Sequence, residues 1–354
     1  MLFVRAHFDD YNSYGILATE LCKALLELGV DLSLLSQPGS SYQDSHYNKV
    51  PHFLEKYMVP YNTPTQSELI ILPPRTAQSS NVSSPFAKRR LHLTMFESPI
   101  LHPDWRDFEN TCEGLILPCQ GNVVGFHSSG IQVPMYTIPL GYDEKVYSYS
   151  PMDMEGPCVF GIGGRIHSIT DKRKGVSEAV SLFRQAFPSE QDVRLEVKSF
   201  DIDEAVTNSS DSRIKFIRQN FTKQQLADWY KGLTAYLSMS KSEGWGLMQM
   251  DAMVTGRPII GARFLGIKEF VPREAMFEVD WNTLRAQVHP SNYANPGCWA
   301  EPVPESVIAQ MRKVYLYRRI AQEKGILSSR VTSPLTWKAS AKALLAILKK
   351  HGYV

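Results

Sequence analysis

Between Ser240 and Gly261 the chain reads Ser-Lys-Ser-Glu-Gly-Trp-Gly-Leu-Met-Gln-Met-Asp-Ala-Met-Val-Thr-Gly-Arg-Pro-Ile-Ile-Gly. Those residue types suit the binding of an anion that carries hydroxyl groups. Gly244 and Gly246 lack a Cβ, so backbone N–H groups on the turn can approach a ligand closely. A helix is expected over 247–255, and its first turn presents a positive end to an anion. Glu243 lies on the turn and Asp251 eight positions later on the helix. Each carboxylate can accept from a pair of hydroxyls, one set on a hexose and one on a ribose. A Gly-x-Gly turn taken alone equally describes an ordinary strand–turn–helix with a solvated Glu and a helix-surface Asp.

The elements that position this stretch follow from an alternation of strand and helix along the chain. Leu2–Ala6 reads as a strand, and a polar loop follows from His7 to Ser13. Next comes a helix with Leu17, Leu21, Leu25 and Leu28 on one face and Gly29 at its end. Short apolar runs at Asp31–Leu35, Leu69–Leu72, Leu91–Met95, Gly114–Leu117 and Met135–Ile138 continue the series. A break rich in Tyr, Ser, Pro, Met and Gly at Tyr147–Pro157 reads as an interdomain linker. Beyond it the alternation restarts: strand Cys158–Ile162, helix Val176–Ala186, strands Arg194–Lys198 and Ile214–Ile217. A capping box, Thr222 with Gln225, opens a helix over Gln224–Lys231, and strands Ala235–Met239 and Ile259–Ala262 complete the second half. Two such α/β halves predict two Rossmann-like domains facing across a cleft, with ligands at the carboxyl ends of the strands. The expected boundaries are 1–150, 151–332 and a C-terminal segment 333–354. That last segment reads as an amphipathic helix, capped by Ser333 with Pro334 in its first turn. Trp337, Ala341, Leu344, Leu345 and Leu348 line one face, while Lys338, Lys342, Lys349 and Lys350 lie largely elsewhere. It either packs back on the body or docks on an anionic membrane surface.

Composition sets the bounds. The chain has 354 residues, 43% apolar and 21% charged, the profile of a globular protein with room for two compact domains. A net charge of +2 argues against nucleic acid as a partner, although Lys88-Arg89-Arg90 forms a local basic patch. The start of the chain lacks the features of a signal peptide, and no apolar run is long enough to span a bilayer. Five scattered cysteines without a CxxC spacing read as buried thiols in a reducing, cytoplasmic setting. His102, His127 and His167 have no metal-ligand spacing, and Asp9-Asp10, the nearest acidic run, reads as loop surface. No metal or cofactor is therefore expected.

The Ser240–Gly261 stretch resembles the signature of the retaining glycosyltransferases of family 4, which share the GT-B fold. The shared features are Ser-x-x-Glu-Gly-aromatic-Gly-Leu, a carboxylate eight residues after the first, then Ala-Met-x-x-Gly-x-Pro-Ile. The family carries Glu at both carboxylate positions; here the second is Asp251, one methylene shorter. The resemblance implies that Glu243 touches the donor sugar and Asp251 the ribose. Gly244, Gly246 and Leu247 would lie along the donor. Trp245 fills a slot usually aromatic, either packed under the turn or stacked on a sugar. Upstream, Gly161-Ile-Gly-Gly-Arg165 with Lys174-Gly175 is similar to the family's Gly-Arg…Lys-Gly element. That similarity implies that Arg165 and Lys174 bind the donor diphosphate beside Gly163 and Gly164. Lys172 and Arg173 compete for the basic role, and a solvated charge run at a helix start is the plainer reading.

The first half resembles the family more loosely, through Thr94-Met-Phe-Glu-Ser98, Pro103-Asp-Trp105 and Gly130–Asp143. Many relatives carry His where this chain has Glu97, which either hydrogen-bonds the acceptor or transferring sugar or is a rim carboxylate. The first loop has only Gly15 where paired glycines are usual; it is expected to border the donor phosphates. The resemblance implies a GT-B fold whose C-terminal helix returns to the N-terminal domain. It also implies metal-independent retaining transfer of a hexose from a UDP- or GDP-sugar to a glycan, lipid-linked or small-molecule hydroxyl acceptor. Three rivals remain: a sugar-nucleotide-binding partner subunit with weak catalysis, a phosphorylase or epimerase of the same fold, and a nucleic-acid glucosyltransferase.

Overall fold

The computed structural model describes residues 1–9, 12–37, 50–60, 62–74, 76–77, 87–164, 173–199, 211–286 and 297–354. The chain divides into two compact units, Met1–Asp143 with Leu335–Val354, and Glu144–Pro334.

In the first unit six strands form a wholly parallel sheet: β1 Leu2–Ala6, β2 Leu32–Ser36, β3 Ser67–Ile71, β4 Arg89–Leu93, β5 Gly114–Leu117 and β6 Met135–Thr137. Their order is β2-β1-β3-β4-β5-β6. Strands β1 to β5 are largely buried on both faces, which is why they read as continuous apolar runs, while the edge strand β6 is partly exposed. The helix Ser13–Glu27 is capped by the Asn12 side chain, and Gly29 ends its last turn at φ +79°. The C-terminal helix covers Trp337–Lys350 and packs against it. Ser333 and Pro334 do not start this helix. Ser333 instead closes the preceding helix, Arg318–Thr332, and Thr336 accepts from Ala339 N as the true cap. The apolar face is buried in this unit at Trp337, Ala341, Leu344 and Leu348 and half-buried at Leu345, so the helix packs back on the body. Gly141 admits this packing, since a Cβ there would lie 2.2 Å from Trp337 N.

In the second unit the strands are β7 Cys158–Gly163, β8 Val193–Lys198, β9 Ile214–Ile217, β10 Ala235–Ser238, β11 Ile259–Gly261 and β12 Met276–Glu278. They are again all parallel, in the order β12-β11-β10-β7-β8-β9. From β7 the chain builds outward through β8 and β9, then returns to lay β10 on the other side. The β7–β10 junction is therefore the topological switch point. The Tyr147–Pro157 stretch, linker-like in composition, packs within this unit. Tyr147 and Met152 are buried, and the fully buried guanidinium of Arg257 donates to Ser150 O (3.0 Å), Tyr230 O (3.1 Å) and Gly256 O (3.2 Å). An antiparallel hairpin, β13 Trp281–Arg285 with β14 Cys298–Pro302, and the helices Pro304–Leu316 and Arg318–Thr332 complete the unit.

All five cysteines are free thiols, four of them buried. No helix among the described residues is long and apolar enough to cross a membrane.

Candidate functional site

A pocket opens at the switch point of the second unit. The ends of β7 and β10 supply Ile162, Gly163, Leu237 and Ser238; Met239, Ser240, Glu243, Met248 and Gln249 come from the turn and helix that follow β10. Lys174 closes another wall. Two helices begin here, Val176–Ala186 and Leu247–Val254, each with a glycine at its N-cap and no side-chain cap. Neither N-cap residue supplies a side-chain acceptor to these positive ends. Gly175 adopts φ +58° and Gly246 φ +111°, and a Cβ at Gly175 would sit 2.8 Å from Met239 Cβ. Only glycine makes both turns without strain.

Glu243 is the electrostatic centre. It is 8% exposed, Lys174 Nζ donates to its Oε1, and Arg173 Nη1 lies 3.3 Å from its Oε2. Burial pushes the carboxyl upward, but the charges of Lys174 and Arg173, with hydrogen bonds from Lys174 and Ser240, outweigh it and hold the group at about 2. Glu243 is therefore an anion at neutral pH. It can accept hydrogen bonds from hydroxyls and has no proton to donate.

Around it the expected residues fall into different roles. Arg165 lies outside the described residues. Gly163 lines the pocket, but its N–H donates to Tyr236 Oη (3.2 Å) and that of Gly164 to Lys198 O (3.2 Å). Neither amide is left for a phosphate. What approaches Gly163 is the Met248 methyl, 2.1 Å from where a Cβ would stand, and what approaches Gly164 is the Lys174 stem at 3.4 Å. Trp245 is 2% exposed, stacked on Phe270 at 4.7 Å between ring centroids, with Nε1 donating to Met250 Sδ (3.4 Å). Its ring packs under the turn and offers no face to a sugar. Gly244 and Leu247 flank Trp245 and Gly246 on the same turn, and Gly266 N donates to Glu243 O (3.0 Å) to brace it. Leu265, just before that brace, is the one non-glycine residue at positive φ among the described residues, at φ 46°. Asp251 is half-buried on the Leu247–Val254 helix. Burial raises the Tyr236 phenol, and the charges of Glu243 and then Asp251 add to this, so both carboxylates act on one pocket residue.

Two contributors escaped the sequence reading. Lys241 is 2% exposed and pairs with Glu178 (3.3 Å) and Glu301 (3.1 Å), tying the acidic turn to a helix and to β14. Tyr236 reaches across from β10 to Gly163. Nothing in the local sequence marks either, because their partners lie 60 residues or more away.

The first unit's switch point lies between β1 and β3. Asp9 follows β1 and is 4% exposed, not the surface carboxylate its sequence suggests; Asp10 lies outside the described residues. Its Oδ1 accepts from Asn12 N (2.8 Å), and Asn12 Nδ2 donates to its Oδ2. A Cβ on Gly15 would fall 2.4 Å from Asp9 Cγ. The room that Gly15 leaves is therefore filled by a carboxylate of the chain itself. Tyr14 Oη donates to Met95 O (2.8 Å) and meets Thr94 Oγ1 (3.2 Å), drawing the Glu97 loop to the start of this helix. Glu97 is half-buried, and its charge, after burial, contributes to raising the Tyr14 phenol.

Among the described residues one group of metal-ligand types lies close together, His92, Glu109 and Cys112, all buried in the first unit. Both ring nitrogens of His92 are already engaged, Nδ1 with Glu109 Oε2 (2.7 Å) and Nε2 with Leu72 O (2.9 Å). His102 and His127 are not part of it, and His167 lies outside the described residues.

No protein-family model matches the chain, and no curated protein does either. Solved structures do match. Sucrose-phosphate synthase from Thermosynechococcus elongatus is similar over 99% of each chain, with 13% identity and a TM-score of 0.71. WaaG, a glycosyltransferase involved in lipopolysaccharide biosynthesis, is similar over 98% of this chain and 99% of its own, with 11% identity and a TM-score of 0.65. TarM of S. aureus, in a complex with UDP, alpha-GlcNAc-glycerol and fondaparinux, matches 83% of this chain and 57% of its own, at 10% identity and a TM-score of 0.57. At these identities the likeness establishes the fold: two Rossmann-like α/β units of the GT-B class.

Proposed function

We propose that the chain is a retaining hexosyltransferase of the family 4 type, taking a hexose from a UDP- or GDP-sugar to a hydroxyl of a glycan, lipid-linked or small-molecule acceptor. One observation carries the reading. At the switch point of the second unit, Lys174 and two helix ends without side-chain caps surround an ionised, buried Glu243. Positive groups suit a diphosphate, and a fixed carboxylate suits the hydroxyls of the sugar attached to it. The UDP held by the TarM complex supports the donor class.

In this mechanism the departing nucleoside diphosphate gains charge as the glycosidic bond breaks. Lys174, the two helix ends and Arg165 stabilise that charge, at about 1.5–3 kcal/mol per charge-assisted hydrogen bond. Glu243 orients the hexose and does not attack it. The leaving phosphate helps take the acceptor proton on the same face, so the anomeric configuration is kept. Asp251 takes the ribose. No step calls for a metal ion. Cysteines held outside any disulfide favour work in the cytoplasm.

A thermal-shift screen over UDP- and GDP-sugars tests the reading, because a ligand present at about 100 times its Kd adds about 2.7 kcal/mol to the folded state. The responding donor is then used in transfer assays. Glu243→Gln and Lys174→Ala are each expected to lose most transfer while staying folded. Full activity in either variant, or no shift with any nucleotide sugar, refutes the assignment.

A further inference from the structure

Lys174 has two claims on it. It contacts Glu243 directly, and in the function proposed above it also meets the donor diphosphate. A diphosphate carries more charge than a carboxylate, so donor binding draws Lys174 away from Glu243. A buried carboxylate that loses its nearest counter-charge takes up a proton or turns toward solvent. Either outcome would spoil its hold on the sugar.

A second cation guards against this. Arg173 precedes Lys174, and its Nη1 donates to the backbone oxygen of Ser242 (2.7 Å) while lying 3.3 Å from Glu243 Oε2. Its own carbonyl accepts from Lys241 N (2.9 Å), so main chain and side chain both clamp the acidic turn. The guanidinium reaches the carboxylate oxygen that Lys174 does not. Lys241, the other basic residue of the turn, is committed to Glu178 and Glu301. The other groups that act on the Glu243 carboxyl are Ser240, by a hydrogen bond, and Tyr236, through its nearby phenol.

We propose that Arg173 is a positioning residue that keeps the Glu243 carboxylate ionised and aimed into the pocket while Lys174 moves to the donor phosphates. The inference rests on the function proposed above for its consequence, and on the geometry alone for the clamp. Its consequence is a division of labour. Removing Lys174 weakens the grip on any nucleoside diphosphate; removing Arg173 spares the diphosphate and loses the sugar. Lysine is a poor substitute for Arg173, because one ammonium does not hold a carbonyl and a carboxylate in a fixed fork.

Two measurements on the full chain test this. The first is calorimetric titration of wild type, Arg173→Met, Arg173→Lys and Lys174→Met with UDP, UDP-glucose, GDP and GDP-mannose, with transfer kinetics on whichever sugar nucleotide binds. Arg173→Met is expected to bind the plain diphosphate within about twofold of wild type. Its preference for the sugar-bearing nucleotide falls about tenfold and kcat falls by a larger factor than donor KM rises. Arg173→Lys falls between, and Lys174→Met loses affinity for sugar-bearing and plain diphosphates alike. Equal weakening of both nucleotides in Arg173→Met makes Arg173 a phosphate ligand and overturns the proposal, as does unaltered kinetics. The second measurement needs no donor: a carbon-13 titration of the Glu243 carboxyl, assigned against Glu243→Gln. Its midpoint is expected to rise by about one pH unit or more in Arg173→Met. An unmoved midpoint overturns the clamp even where donors bind. A raised midpoint with no nucleotide bound by wild type keeps the clamp and defeats the proposed donor instead. If Arg173→Met does not fold, Arg173→Lys carries both measurements.

Discussion

Replacing Glu243 by Gln keeps the side chain's size and removes its charge, so the resulting change in stability reports the electrostatics of the pocket. In the folded protein the carboxyl titrates at about 2 instead of near 4.5. At about 1.36 kcal/mol per unit, the drop of about 2.5 units makes ionised Glu243 worth about 3 kcal/mol of folding free energy. The sign follows from the direction of the shift. A depressed carboxyl contributes fully above pH 4.5, and its contribution is lost as pH falls through the folded value near 2. Gln hydrogen-bonds Lys174 and Arg173 weakly through its carbonyl, so the variant is expected to be about 2–3 kcal/mol less stable at pH 7. The gap closes as pH falls from 4.5 toward 2, because wild type loses what the variant never had. Urea unfolding of both proteins at pH 7, 5, 4 and 3, without nucleotide, measures it. A gap that stays constant across this range assigns the loss to packing. A variant more stable than wild type means that burial of Glu243 outweighs its two cations. Either result refutes the charge balance described for the pocket.

Three further outcomes follow from the same geometry. Gly175→Ala forces a side chain into the left-handed region and against Met239; a loss of at least about 1–2 kcal/mol in urea unfolding is expected, with weaker donor binding, because Met239 lines the pocket. Gly141→Ala drives a Cβ into the backbone at Thr336 and Trp337; a loss of about 2 kcal/mol or more is expected, with earlier proteolytic release of the C-terminal helix, and unchanged proteolysis would contradict the packing described. Asp9→Asn removes the carboxylate that fills the space over Gly15; UDP or GDP affinity in calorimetry is expected to hold within about twofold or improve by relief of like-charge repulsion, and a tenfold loss would show that Asp9 supports the donor.

Much of this was legible from sequence because the protein obeys local rules in most places. Doubly buried parallel strands read as apolar runs, the helix Val176–Ala186 begins and ends where its pattern does, and Thr222 with Gln225 forms the capping box its spacing announces. Glu243 and Lys174, 69 residues apart, were each identified from a recognisable motif, and the fold brings them into contact. What stayed hidden depended on partners distant in sequence. Gly163 and Gly164 look like phosphate-binding glycines, yet Tyr236 and Lys198 use their amides. The break between the helices Pro304–Leu316 and Arg318–Thr332 occurs at Tyr317, with neither Gly nor Pro to mark it. Tyr147–Pro157 has a linker's composition, but Arg257, more than 100 residues on, binds its carbonyls into the second unit.

Both units are six-stranded parallel sheets, with one strand on the near side of the switch point in the first and two in the second, and they also differ in what they place at the switch point, a difference that argues for a division of roles. In the second unit the helix ends beside the pocket have glycine caps that supply no side-chain acceptor, and Lys174 and Arg173 add positive charge. An anion arriving there meets several positive groups and competes with Glu243 for Lys174 and Arg173. In the first unit the helix Ser13–Glu27 is already capped by Asn12, and Asp9 fills the gap over Gly15. An anion arriving there meets a carboxylate. Like charges at such short range repel more strongly in a buried setting than in water, so the first unit's loop is a poor seat for a diphosphate. In the proposed function it is left to neutral, hydroxyl-bearing groups. On that physical ground the proposed donor site is assigned to the second unit, and the acceptor side is proposed for the first. The Asp9 side chain over Gly15 is by itself a steric reason for glycine at that position.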